Sequence, residues 1–102
     1  KNGTISIDEN GVWTYHDWEG NSVSYPNGYP DFKSADMVRQ EAPIGPFVER
    51  NKDFAKAREM GYIKSADGTW HHHEDGVTLQ EVETILHDRF RHRGGISNLK
   101  KK

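Results

Sequence analysis

The stretch that most constrains this chain is Thr69-Trp70-His71-His72-His73-Glu74-Asp75-Gly76. Asp-Gly is a hairpin-type turn, because both residues accept positive φ. It joins a short histidine-bearing strand to a second one, Val77-Thr78-Leu79-Gln80-Glu81-Val82. A helix is expected next, from about Thr84 to His92, with Ile85, Leu86 and Phe90 apolar and Gly94-Gly95 ending it. Residues 69 to 95 therefore read as strand, turn, strand, helix, and the rest of the chain as the frame that holds them.

Imidazole is a good ligand for zinc, nickel and related divalent ions. Successive side chains of a strand alternate faces, so His71 and His73 are able to share a face with His72 opposite. A twist or bulge at the strand end instead brings two neighbours toward one cleft. His87 lies in the first turns of the helix, which can fold back over the strand pair. One strand histidine plus His87 gives two protein ligands and leaves positions open for water and phosphate, as a catalytic metal requires. His92 follows His87 by five residues, about 140° around a regular helix, unlike a pair that shares one ion. It is expected to contact phosphate, or to complete the metal shell if the helix distorts. An affinity tag would be terminal and longer. Trp70 reads as packing that anchors the strand. His16 has no partner by spacing, and His73 and Glu74 carry no assigned role.

Upstream, Thr4-Ile5-Ser6-Ile7-Asp8 alternates polar and apolar, the period of a half-buried strand. Asn10-Gly11 is a hairpin turn, Val12-Trp13-Thr14-Tyr15 returns, and Glu19-Gly20-Asn21 leads to Ser22-Val23-Ser24-Tyr25, a small antiparallel meander. Pro26-Asn27-Gly28-Tyr29-Pro30 opens an irregular region in which 34–40 is expected as a short strand or turn. A helix is expected next, with Asn51 as N-cap, Asp53 in its first turn favouring the dipole, and Gly61 ending it. Phe54, Ala57 and Met60 are expected to face the core. Asp67-Gly68 is expected to turn a strand at 62–64 into Thr69-Trp70-His71.

The net charge of −2 hides an asymmetry. Residues 1–88 hold eight Lys/Arg against sixteen Asp/Glu, whereas 89–102 hold six Lys/Arg and no acid. A basic end can attract a polyanion, or fray as a solvated terminus. The acidic remainder argues against a broad nucleic-acid-coating surface. The hydrophobic fraction is 32%, so the eleven aromatics must supply much of one small core. No apolar run approaches the roughly 20 residues of a membrane span. There are no cysteines, which excludes disulfides and thiolate ligands. The chain opens Lys1-Asn2-Gly3 without Met, and a domain of a longer protein is expected.

Trp70-His71-His72, then Glu74-Asp75-Gly76-Val77-Thr78-Leu79-Gln80, then His87 and His92-Arg93-Gly94-Gly95, resembles the WHH family of the HNH/endonuclease VII nuclease superfamily. Gly28-Tyr29-Pro30-Asp31-Phe32 and Arg50-Asn51-Lys52-Asp53-Phe54-Ala55 resemble its upstream signatures. Glu83, Val77 and Leu79 depart from the commoner Pro, Gly and Met. With the small antiparallel N-terminal strands read above, the resemblance, which runs from about residue 25 to 95, implies an α+β fold with a ββα-metal motif near the C-terminus. It implies one toxin-type nuclease domain over 1–102: strands in 1–25, an irregular region and helix in 26–61, the ββα-metal motif in 62–95 and a basic tail in 96–102.

The resemblance further implies that His71, His87 and His92 hold one divalent ion (Zn, Mg, Mn or Ni) and that His72 is the general base. An imidazole suits that role because it takes and releases a proton near neutrality. Arg89, Arg91 and Arg93 would hold flanking phosphates, Trp70 would support the strand, and Gln80 would brace the loop that carries the base. The implied activity is endonucleolytic cleavage of DNA by an antibacterial toxin module, expected as a monomer. It would be delivered from the surface or secretions of a producing bacterium into a target-cell cytoplasm and neutralised by a cognate immunity protein. An RNase on the same scaffold and a non-catalytic, metal-stabilised binding module are the alternatives.

Overall fold

The computed structural model describes residues 3–91, which fall into two compact units. The first comprises Lys1–Met37 with Asp88–Lys102, the second Val38–His87. Among the described residues no helix is long and apolar enough to cross a membrane.

The first unit is the expected meander. Strands β1 (Thr4–Ile7), β2 (Trp13–His16) and β3 (Ser22–Tyr25) pair antiparallel in that order. Both turns use one device. Asp8 Oδ1 accepts the amides of Asn10 and Val12, and Asp17 Oδ1 accepts those of Glu19 and Asn21. A carboxylate that bonds the backbone two residues on pre-forms such a turn. Tyr15 and Val23, which are register partners, bury one face with Tyr25, Phe32 and Phe90. The Phe90 ring meets Tyr15 edge-on at 5.6 Å, and the Tyr25 hydroxyl donates to the Phe90 carbonyl at 2.6 Å. His16 finds the partners that spacing did not supply: its two ring nitrogens bond the hydroxyls of Ser6 and Ser22.

The second unit holds β4 (Gln40–Pro43), α1 (Arg50–Glu59), β5 (Gly68–His72) and β6 (Thr78–Glu83), followed by a helix over 84–91 that runs on into the first unit's residues. The sheet order is β4-β6-β5, antiparallel throughout. Pro43 is tolerated because β4 is an edge strand. Ala42, Ile44, Ala57, Trp70 and Leu79 form the core, flanked by Phe47, Phe54 and Tyr62. The strand–turn–strand–helix order read from 69–95 is present over its described part.

Of the strand or turn expected over 34–40, the turn is present, and strand β4 begins only at Gln40. Other expectations are corrected. Residues 62–65 form no strand, because side chains hold their backbone instead. Gln40 Nε2 donates to the Ile63 carbonyl, and the Ser65 amide donates to buried Glu81. The strand beside β6 on that side is therefore β4. Gly68 is a close-approach glycine, since an added Cβ would run into the Glu81 carboxyl group. Helix α1 starts at Arg50, and Glu49 sits at its N-cap with no side-chain cap bond. The capping is done from inside the helix, where Asp53 Oδ1 accepts the Val48 amide at 3.0 Å.

Gly61 does end α1, with φ +95. Its amide bonds the Arg58 carbonyl and the Tyr62 amide bonds that of Ala57, the paired closure of a Schellman motif. Ala57 is buried, but Met60 is 50% exposed, because the chain has already turned away there. Ile85 is likewise exposed. His92, Arg93, Gly94 and Gly95 lie outside the described residues.

Two outcomes follow from this packing. Leu79 is fully buried, so Leu79→Ala is expected to cost about 2–5 kcal/mol in urea unfolding. Asp17 is held by Asn21, Arg89 and the Glu19 amide; burial alone would raise its pKa, but these bonds outweigh it and lower it from 3.8 to about 2. Its contribution is therefore present above pH 3.8 and lost as pH falls through about 2. Stability followed from pH 5 to pH 2 should fall less steeply in Asp17→Asn than in the wild type.

Candidate functional site

The site is built on the last two residues of β5. Trp70 and His72 point to the α1 side of the sheet, where Trp70 joins the core and the His72 ring lies against Phe47 and Phe54, at 4.5 and 5.4 Å between centres. His71 points to the other side. There its Nδ1 meets His87 Nε2 at 3.1 Å, the rings 5.2 Å apart and steeply inclined. The helix carrying His87 is pinned back over β5 one turn earlier, where the hydroxyls of Thr69 and Thr84 bond at 2.7 Å. Strand alternation thus places two histidine arrangements on opposite faces.

On the α1 side, His72 Nε2 lies 3.0 Å from Asp53 Oδ2. Asp53 is 2% exposed. Burial would raise its pKa, but the Val48 amide and His72 hold it below the usual carboxylate range. An ionised carboxylate only accepts, so Nε2 is the donor of this bond, and in the neutral ring the lone pair is then on Nδ1. The His72 side chain remains 30% exposed. An oriented imidazole with part of its side chain open to solvent can take a proton from water. Asp53 was read only as a dipole-favouring first-turn acid. Its partner stands 19 residues away, and no local pattern marks that pairing.

On the other side, burial and then the neighbouring histidines push the His71 pKa down to about 3, so the ring is neutral, as a metal ligand must be. Two ligand nitrogens at about 2.0–2.1 Å from one ion stand roughly 3.0–3.4 Å apart, and 3.1 Å falls in that range. Gln80 lies directly across from His71 on the same face, fully buried. Its amide nitrogen donates to Glu41 at 2.9 Å, while its Oε1 has no hydrogen bond among the described residues. A buried carbonyl oxygen in that condition is one that an ion or its bound water satisfies. The donor set therefore fits a divalent metal. No group of three or more His, Cys, Asp or Glu suited to a metal occurs among the described residues, and His92, expected as a third ligand, lies outside them.

The other expected residues are placed elsewhere. Gln80 is fixed beside His71 by Glu41 and does not brace the turn that follows His72. That turn is organised by Asp75, whose carboxylate accepts the Val77 and Thr78 amides and the Thr78 hydroxyl. His73 belongs to the same turn, its Nδ1 accepting the Asp75 amide. Arg89 is in the first unit. It bonds Asp17 and Glu19 at 2.7 and 2.9 Å and lies over the Trp18 ring, so its charge is neutralised internally. Arg91 stands 3.6 Å from Asp88, and Arg93 is outside the described residues.

No curated protein and no solved structure matches the chain. Residues 63–102 match a family model described as WHH, a nuclease of the HNH/ENDO VII superfamily with conserved WHH. The three named residues are Trp70, His71 and His72: the core anchor, one half of the facing histidine pair, and the carboxylate-held imidazole. Over these residues, less than half of its length, the chain is similar to the WHH family of nucleases.

Proposed function

We propose that the chain is a metal-dependent endonuclease that hydrolyses phosphodiester bonds of DNA. The observation that carries this is the Asp53–His72 pair, whose histidine neighbours that of the His71–His87 pair at the end of β5, on a segment similar to a nuclease family. His72 Nδ1 takes the proton of the attacking water. Asp53 holds Nε2–H and stabilises the imidazolium that forms, as the carboxylate of a hydrolase triad does. The water oxygen bonds to phosphorus, the bond to the 3′ oxygen breaks, and that oxygen takes a proton from solvent. His71 and His87 would hold the divalent ion, with His92 as the further ligand the resemblance implies. Such an ion supplies Lewis-acid stabilisation of charge on the phosphate oxygens. Arg91 and Arg93 are the remaining candidates for flanking phosphates.

The biological setting is proposed on the resemblance. The chain would act as one nuclease domain, the antibacterial toxin module of a larger secreted or surface-delivered protein. It would act as a monomer in the cytoplasm of the target cell and be held inactive by a cognate immunity protein. The acidic balance of residues 1–88 supports a partner with a basic patch and a salt-sensitive association.

Plasmid DNA and total RNA, each incubated with chelator, Mg²⁺, Mn²⁺, Zn²⁺ or Ni²⁺, test the activity. DNA cleavage that needs metal is expected, and cleavage of RNA alone would move the substrate to RNA. His72→Ala should lower kcat by about 10²–10⁴-fold, the usual worth of a general base. Asp53→Asn should lose part of the same factor with its fold retained. Wild-type rates in His72→Ala would overturn the base assignment. Independently of activity, His87→Ala should weaken metal binding in calorimetry by tenfold or more, and an unchanged affinity would remove His87 from the ligand set.

A further inference from the structure

Helix α1 carries Arg50, Phe54 and Arg58 at intervals of four residues, so the three share one face. The Arg50 guanidinium lies 5.6 Å from the centre of the Phe54 ring. Phe54 and Arg58 go on to line a cleft of about 350 Å³, together with Tyr62, Ile63, Lys64 and Trp70. Three of the six lining residues are aromatic, two are cationic and none is acidic. Phe54 also packs against His72, so the cleft and the imidazole share a wall.

The charges of this face differ from the other arginines of the described residues. Arg39 is paired with Asp67, Glu81 and Glu83, Arg89 with Asp17 and Glu19, and Arg91 with Asp88. Arg50, Arg58 and Lys64 form no ion pair among the described residues, although acids outnumber bases over 1–88 by two to one. Arg58, Lys64 and Ile63 are exposed, and Phe54 and Tyr62 are half-buried. Uncompensated cations that alternate with partly open aromatic rings make a surface for a flexible polyanion with flat, stackable groups. That is a single nucleic-acid strand, with phosphates on the cations and bases on the rings.

We infer that the face of α1 bearing Arg50, Phe54 and Arg58, with Tyr62 and Lys64, binds an unpaired nucleotide of the substrate strand next to the bond attacked by the water that His72 deprotonates. The inference rests on the nuclease reading and adds a substrate class to it: single-stranded or locally unpaired nucleic acid. The base sits against Phe54 and Tyr62, and the adjoining phosphates reach Arg50, Arg58 and Lys64. The cleft volume is on the scale of one nucleotide.

The test uses the full chain carrying His72→Ala, in chelator, so that nothing is cut. Its binding to labelled single-stranded DNA, to RNA of the same sequence and to the DNA duplex is followed by fluorescence anisotropy across a salt series. Both single strands are expected to bind more tightly than the duplex, and the DNA and RNA arms show which is the better ligand. Adding Arg58→Ala and Lys64→Ala, both exposed, should weaken single-strand binding at least tenfold. It should also lower the slope of log affinity against log salt by about 1.4, at roughly 0.7 per phosphate. Tyr62→Leu should weaken single-strand binding with the salt slope unchanged, which separates stacking from charge. Unchanged affinity and slope in the double variant would overturn the cleft and leave the nuclease reading standing. Equal losses for duplex and single strand would overturn the preference for an unpaired nucleotide. No binding by the His72→Ala parent to any of the three would overturn the cleft, while the nuclease reading stands or falls on the cleavage assay with metal.

Discussion

The two-residue period of β5 is the constraint on which the second unit depends. It sends His71 and His72, neighbours in sequence, to opposite faces of the sheet, and each face then needs its own cover. On one side α1 supplies Ala57 and Phe54 to the core and Asp53 to His72. On the other, the helix that directly follows β6 brings Thr84 and His87 over Thr69 and His71. A shift of β5 by one residue against β6 would exchange these environments. It would put His71 among Phe47 and Phe54 and leave His72 beside His87. Register is therefore a chemical as well as a structural quantity here.

What fixes the register is largely polar. Glu81 is almost fully buried in the central strand, directly across from Trp70 and Gln40. Burial would raise its pKa, but the bonds from Gln40, the Ser65 amide and Arg39 keep it ionised. Those three partners come from β4, from the segment before it and from the irregular stretch before β5. One carboxylate thus ties both neighbours of β6 to it, and Gly68 leaves the space its carboxyl occupies. A buried charge held this way adds more to the uniqueness of the arrangement than to its net stability.

The local devices were largely legible in the chain. Asn10-Gly11 and the turn before β3 gave the meander, Gly61 gave the end of α1, and Asp75-Gly76 gave the turn between the last two strands. In each case the residue that sets the backbone lies within a few positions of the backbone it sets. What depends on distant partners was not legible. The stretch 62–64 looks like a strand until Gln40 binds the Ile63 carbonyl and Glu81 the Ser65 amide, and nothing near Arg89 in the sequence marks its pairing with Asp17 and Glu19.

By itself, then, the sequence determined the strand–turn–strand–helix order around Trp70-His71-His72, the nuclease family that this segment resembles, and the pairing of one strand histidine with His87. It could do so because alternation, turn chemistry and helix periodicity are properties of short stretches of backbone. Only the tertiary structure decided that Asp53 holds His72 and which cations remain without a carboxylate. Those outcomes depend on burial and on distances between residues far apart in the chain, and no local pattern encodes them.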